Sequence, residues 1–265
     1  MKKKILLLTL FMAGFQLVSY AQIRIGGRSI NVERAVQAVS DVASAVTLSD
    51  DDVVRLSREA VEWMDANNPV LDESDKKYGA RLQRLTEGLE TYEGLNLNFK
   101  VYHVTDINAF ACADGSIRIF SALMDVMTDD ELLGIIGHEI GHVYYGDTKD
   151  AMKNAYLTSA ALNAAGAVGG TVGKLSDSQL GELLSAFTES QFSKQQEYAA
   201  DEFGFLFCVA NDIDPYGMAL SLEKLLELQG SSATASLVQK MFSSHPDTAE
   251  RAARVRLMAD QHFNQ

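Results

Sequence analysis

A chain of 265 residues, 47% hydrophobic and 22% charged, is long enough to bury a full core, as one large domain or two small ones. Its net charge of −13, with no basic patch or stripe, argues against a nucleic-acid binder. It also lacks repeats and low-complexity tracts.

Residues 1–21 read as a secretory signal. Lys2, Lys3 and Lys4 precede an apolar run over residues 5–18, and Ser19-Tyr20-Ala21 forms a small-x-small cleavage site before Gln22. The rival reading is a membrane anchor, but a run of that length is short for a bilayer, and no Cys near the cleavage point offers lipid attachment. Cleavage leaves residues 22–265 as a single domain of net charge about −16, periplasmic or secreted, with peripheral membrane association open. The exported part carries Cys112 and Cys208. In an oxidising compartment they invite one disulfide, whose loop of roughly a hundred residues stabilises by up to about 4 kcal/mol; two separate buried thiols are the other reading.

Residues 22–47 have weak periodicity and read as a wrapping or fraying segment. Ser49 and Asp52 have capping-box spacing ahead of a helix carrying Val53, Leu56, Ala60, Val61 and Met64, stopped by Asn67-Asn68-Pro69. A second helix is expected from about Asp75, with Tyr78, Leu82, Leu85 and Leu89 on one face. From Leu95 the period becomes two: Leu95, Leu97, Phe99 and Val101 alternate with Asn96, Asn98, Lys100 and Tyr102 as one half-buried strand. Residues 108–111 (Asn108, Ala109, Phe110, Ala111) and 116–120 flank Asp114-Gly115, a hairpin turn. A strand edge of this kind can hold an extended peptide through main-chain hydrogen bonds, although ordinary sheet packing is the simpler reading of Ala109 and Ile117.

The next helix carries the chemistry. Thr128 and Glu131 form a capping box, Asp129 and Asp130 suit the positive end of the dipole, and Leu132, Ile136, Ile140 and Val143 make a buried stripe. On it, His138-Glu139-Ile140-Gly141-His142 sets two imidazoles one turn apart, able to close on one tetrahedral metal ion, with Glu139 beside them to deprotonate a water. Beyond Asp147 the chain is helical from Lys149 to about Leu162, and then small-residue over 164–170, which reads as a connection or close helix packing rather than a membrane helix. Ser176 and Gln179 start another helix with Leu180, Leu183, Leu184 and Phe187. Two histidines do not complete a catalytic zinc site, so a third ligand must arrive from elsewhere. Ser193 and Gln196 cap a helix on which Glu197 and Asp201 share a face, among Ala199, Ala200, Phe203, Phe205, Leu206 and Phe207. Buried carboxylates need partners, so Glu197 suits the metal and Asp201 the free ring N–H of His138. In Ser243-Ser244-His245-Pro246-Asp247, His245 precedes the last helix and can donate to an oxyanion, with Arg251 holding it or sharing that role. His103 reads as strand packing or surface and His262 as a fraying terminus.

Three motifs in this order, His-Glu-x-x-His, Glu-x-x-x-Asp and His-Pro-x-x-x-x-Arg, resemble the gluzincin peptidases that include the CAAX prenyl protease and the HtpX heat-shock protease, nearest their soluble or lipid-anchored periplasmic LoiP-like branch. The similarity runs over residues 108–256 and includes Ser121-Ala122-Leu123-Met124-Asp125 and residues 241–251. The resemblance implies a mainly helical α+β, zincin-like metallopeptidase domain with a small sheet next to the His-Glu-x-x-His helix. It implies one Zn2+ per chain on His138, His142 and Glu197, Glu139 as base, and Asp201 orienting a ligand. It further implies His245 and Arg251 assisting the transition state and residues 108–111 docking substrate. Unfolded or extended polypeptides, and outer-membrane assembly or quality-control proteins, are the partners that follow, with no nucleic acid. The signal lacks a lipobox cysteine and there are no HtpX-like transmembrane helices, which are departures from that family. The rivals are a different metallohydrolase, deformylase-like, with a Cys or third His ligand, and a non-catalytic chaperone on the same fold.

Overall fold

The computed structural model describes residues 48–159 and 174–264, together with the strand backbone at 23–25 and 28–30. The chain divides into two units, Met1–Val46 and Thr47–Gln265. In the first, strands β1 (Ile23–Ile25) and β2 (Arg28–Ile30) pair as an antiparallel hairpin. The expected signal over residues 1–21 and the small-residue segment 164–170 lie outside the described residues.

The second unit opens with α1 (Asp50–Asn67), capped reciprocally by Ser49 and Asp52 and ended at Asn68, whose backbone leaves the helical region before Pro69. A short strand β3 (Val70–Leu71) follows. Helix α2 spans only Gly79–Leu85, shorter than the periodicity predicts. The reason is local: Asp75 accepts from the amides of Lys77 and Tyr78, at 3.1 and 2.7 Å, and holds the preceding residues in turns that compete with the helix. The long strand expected from Leu95 is broken at Leu97. Strands β4 (Thr91–Tyr92) and β5 (Leu95–Asn96) form a small hairpin, and the amide of Asn98 then turns to Gly115 O to begin β6 (Asn98–Tyr102).

Strands β7 (Ala109–Ala111) and β8 (Ser116–Phe120) form the expected hairpin, turning at Gly115 with φ +87°. The sheet order is β3-β6-β8-β7, with β6 and β8 parallel and the other pairs antiparallel, so β7 lies at the edge. Arg118, 1% exposed in the middle of β8, bonds both oxygens of Asp65 on α1, and Tyr102 donates to the same carboxylate at 2.7 Å. This pair, buried on the Arg118 side and part-buried at Asp65, fastens the sheet to α1.

Helix α3 (Ser121–Val126) leads into α4 (Asp129–Tyr144), capped by Thr128 and Glu131. Every residue from Glu131 to Val143 is buried, so α4 is a central helix covered on all sides rather than one with a single apolar stripe. It packs against β7 and β8 on one side and against α7 (Lys194–Ala210) and α8 (Gly217–Gly230) on others. Glycines set the α4–α7 distance: a Cβ on Gly137 would lie 2.7 Å from Phe207 Cδ1, and one on Gly204 would lie 3.0 Å from His138 N. Helices α5 (Asp147–Thr158) and α6 (Asp177–Thr188) pack together, and α6 also meets α1. The short α9 (Gln239–Ser244) precedes α10 (Thr248–Phe263), which packs on α7 and α8. Among the described residues, no helix is long and apolar enough to cross a membrane.

The expected disulfide is absent. Cys112 and Cys208 are both free and buried, Cys112 just past β7 and Cys208 on α7. The two thiols belong to different elements, each packed against α4.

Candidate metal centre

Three elements bring the polar groups together inside the core. Helix α4 supplies His138, Glu139 and His142, the first turns of α7 supply Glu197 and Asp201, and the loop before α10 and its first turn supply His245 and Arg251. All seven are buried. Buried polar groups need partners, and here ion pairs and hydrogen bonds supply many of them, while His138 Nδ1, Glu139 Oε1 and Glu197 Oε2 have no hydrogen bond.

His138 Nδ1 lies 3.0 Å from Asp201 Oδ1, and His142 Nδ1 lies 2.9 Å from Asp147 Oδ2. Each ring therefore turns Nδ1 to a carboxylate, hydrogen-bonded in His142, and turns Nε2 toward the other ring. The two Nε2 atoms face each other at 3.1 Å, with Glu197 Oε1 3.5 Å from His142 Nε2 and Glu197 Oε2 3.7 Å from His138 Nε2. A contact that short between two imidazole nitrogens needs positive charge between them, either a proton shared by the rings or a metal ion that replaces it. Tetrahedral ligands about 2.0–2.1 Å from zinc would themselves stand roughly 3.3 Å apart, so the spacing fits a metal ion. Adding His245, the potential ligand atoms of His138, His142 and Glu197 all lie within 4.8 Å of one another.

Charge points the same way. The site buries four carboxylates, Glu139, Asp147, Glu197 and Asp201, against one guanidinium, Arg251. Burial lowers the pKa of His138, favouring the neutral ring a metal needs. Burial also opposes protonation of His142, but Asp147 and Glu197 outweigh it and push that imidazole up to about 9, so this corner of the site attracts positive charge. Burial works against ionisation of Glu197, yet His245, His142 and Arg251 hold its carboxyl well below the usual range. Arg251 and His138 likewise lower the carboxyl of Asp201 against the effect of burial.

Arg251 forms two bonds to Asp201, at 2.6 and 2.8 Å, and an ion pair with Glu197. Of the two parts the sequence leaves open for it, the geometry offers holding, but on these carboxylates rather than on His245. His245 Nδ1 bonds Glu197 Oε1 at 2.9 Å, while its Nε2 faces Glu139 Oε1 at 3.7 Å. Glu139 Oε1 is buried without a hydrogen-bond partner. Asn108, Phe110, Ala111, Glu139, Phe187, Phe192 and His245 line one cleft, with β7 forming one of its walls.

The comparisons with known proteins bear on this geometry. The model of peptidase family M48 matches residues 78–259. The chain belongs to peptidase family M48. This M48 metallopeptidase is 38% identical over 240 residues to the metalloprotease LoiP of Escherichia coli (strain K12), covering 90% of this chain and 93% of LoiP. It is 36% identical over 228 residues to the metalloprotease YcaL of the same organism, covering 86% of this chain and 87% of YcaL. Against the protease HtpX of Xylella fastidiosa (strain M12) it is 27% identical over 193 residues, covering 59% of this chain and 65% of HtpX.

Sequence reasoning missed two groups in the M48 centre. Asp147, which holds His142, follows a left-handed turn at Gly146 (φ +80°) and reads in sequence as an ordinary acidic helix start. Its place five residues after His142, just beyond a glycine, was the available signal. Phe192 stacks on the His142 ring, 3.9 Å between centroids and 15° between planes, and nothing in its local pattern announces that.

Proposed function

We propose that this M48 peptidase is an exported zinc metalloendopeptidase acting on unfolded or misassembled envelope proteins, with one zinc per chain held by His138, His142 and Glu197. The observation that carries the reading is the convergence of the two Nε2 atoms and the Glu197 carboxylate beside the unpartnered Glu139 Oε1. When bound, zinc supplies Lewis acidity, acidifying water towards a pKa of about 7 and polarising a peptide carbonyl. Glu139 takes the proton of the attacking water and later delivers it to the leaving amine. His245, as the imidazolium with Nδ1–H held by Glu197, donates from Nε2 to the oxygen on which charge develops. Arg251 keeps Glu197 and Asp201 ionised and aimed, and Asp201 fixes the His138 tautomer.

Substrate docks as an added strand along β7. Asn108 O and Cys112 N bond to β8, so by alternation the main-chain groups of Ala109 and Ala111 point away from β8; both residues are buried, so an added strand requires that this edge be uncovered. Asn108 Oδ1, buried without a partner in the cleft wall, supports the same docking line, and Phe110 flanks it. Recognition through main chain suits extended, unfolded polypeptide rather than one folded partner. The pattern of residues 1–21 supports export to the periplasm or beyond, and outer-membrane assembly or quality-control proteins are the partners this reading implies.

The test is a pair of variants. Glu139→Ala should retain zinc and lose casein hydrolysis by about 10²–10⁴-fold, whereas His138→Ala should lose both. A zinc-loaded Glu139→Ala enzyme at full rate would overturn the mechanism.

A further inference from the structure

We infer that Gln196 is a positioning residue that ties the helix carrying Glu197 to the ring of His142, setting the spacing between two ligands that come from different helices. The inference rests on the reading above, in which both side chains hold the metal.

The amide of Gln196 works in two directions. Its Oε1 accepts from Ser193 N at 2.8 Å, closing the capping box that starts α7. Its Nε2 donates to Asp147 Oδ1 at 2.9 Å, and the other oxygen of Asp147 accepts from His142 Nδ1 at 2.9 Å. A continuous chain of hydrogen bonds therefore runs from the first turn of α7, one residue before Glu197, through the buried first residue of α5, to the imidazole on α4. Without the Gln196 donor, Asp147 keeps the favourable end of the α5 dipole but loses the contact that fixes which way its second oxygen points. Phe192 limits the ring only in its plane-to-plane direction, so the edge-on bond to Asp147 sets its rotation.

Capping and positioning make opposite demands on this side chain. Glutamate is as good as glutamine in a capping box, so a residue that merely starts α7 tolerates Gln196→Glu better than Gln196→Ala. A residue that orients Asp147 does not, because Gln196→Glu sets a second carboxylate against Asp147 Oδ1, where the structure has a donor.

The experiment measures zinc dissociation constants of the full chain by competition with a chromophoric chelator. Cooperative melting of each chelated variant serves as the check on folding. Asp147→Ala should weaken zinc about 10–100-fold and Gln196→Ala about tenfold, as for loss of other groups that orient a metal-binding histidine. Gln196→Glu should weaken zinc more than Gln196→Ala, and Gln196→Ala should add nothing in the Asp147→Ala background. Wild-type affinity in Gln196→Glu, or an undiminished Gln196→Ala loss in the Asp147→Ala background, overturns the inference while leaving the metal assignment intact. A wild-type chain that binds no zinc, or a His142→Ala chain that binds it as well as wild type, overturns the metal assignment and the inference with it.

Discussion

Arg251→Met removes the one guanidinium that serves two fully buried carboxylates. In the wild-type chain Arg251 is 1% exposed, bonds Asp201 through two nitrogens and pairs with Glu197, and both carboxylates are 0% exposed. Breaking a buried ion pair from one side costs about 3–5 kcal/mol, because the surviving charges stay buried without compensation. For a domain of this size that corresponds to a fall in Tm of roughly 6–20 °C. Arg251 depresses the pKa of both carboxyls against the opposing effect of burial. Their contribution to stability is therefore present above the unfolded carboxylate value, about 4, and is lost as pH falls through the folded values. The deficit of Arg251→Met in chelator should be full at pH 7 and should shrink at pH 3, where the variant's carboxyls are protonated. Zinc should reduce the deficit at pH 7 by supplying positive charge to Glu197, and Arg251→Lys, with one compact donor group in place of a planar fork, should fall between. Circular-dichroism melts with and without chelator at both pH values make the measurement. A shift below about 3 °C at pH 7 in chelator, or the same shift at both pH values, would refute the reasoning.

Three further expectations follow from other parts of the fold. Asp65→Asn leaves Arg118 buried without its counter-charge and should cost about 3–5 kcal/mol in urea titrations at pH 7. Burial raises the pKa of Asp65, but Arg118, Lys100 and Tyr102 lower it further; its stabilisation is thus present above about 3.9 and lost on acidification, so the variant should show a flatter stability curve between pH 5 and 3. Gly204→Val places side-chain atoms against the backbone of α4, where even a Cβ lies 3.0 Å from His138 N and 3.1 Å from Gly134 O; it should force α7 off α4, destabilise by about 1–3 kcal/mol or more and lower the bound zinc per chain. Because Cys112 and Cys208 are free, adding a reductant should leave the Tm unchanged, whereas loss of a bridge closing that loop would cost up to about 4 kcal/mol and move the Tm by several degrees.

Much of the fold was legible because it rests on local signals. Ser49 with Asp52, Thr128 with Glu131, Ser176 with Gln179 and Ser193 with Gln196 each mark a helix start that the structure shows. The Asp114-Gly115 turn likewise shows where β7 meets β8, since its left-handed glycine is a property of a few residues. What the pattern could not show is set by competition or by distance. Period-two alternation continues through Leu97, yet the chain changes partner there, from β4 to β8, and no local preference encodes that choice. Asp75 resembles a helix start and instead stabilises turns.

The candidate site divides in the same way. His138, Glu139 and His142 stand on one helix, so their juxtaposition follows from helical periodicity alone. That Glu197 and Asp201 reach them depends on a close approach of α4 and α7 that small residues allow, including Gly137 and Gly204. Asp147 and Phe192, which meet the edge and face of His142, come from the start of α5 and from the chain just before α7, so their reaching the ring depends on how separate elements pack. The disulfide expectation failed for a related reason: compartment and count say nothing of where the fold places two thiols.

The most direct trial of the whole account is an anomalous difference map at the zinc edge, from crystals of wild-type protein purified without chelator. The account expects one peak per chain, between His138 Nε2, His142 Nε2 and the Glu197 carboxylate, with no sulfur ligand. A peak on either cysteine, or Glu197 turned away from a metal held by other groups, would contradict it.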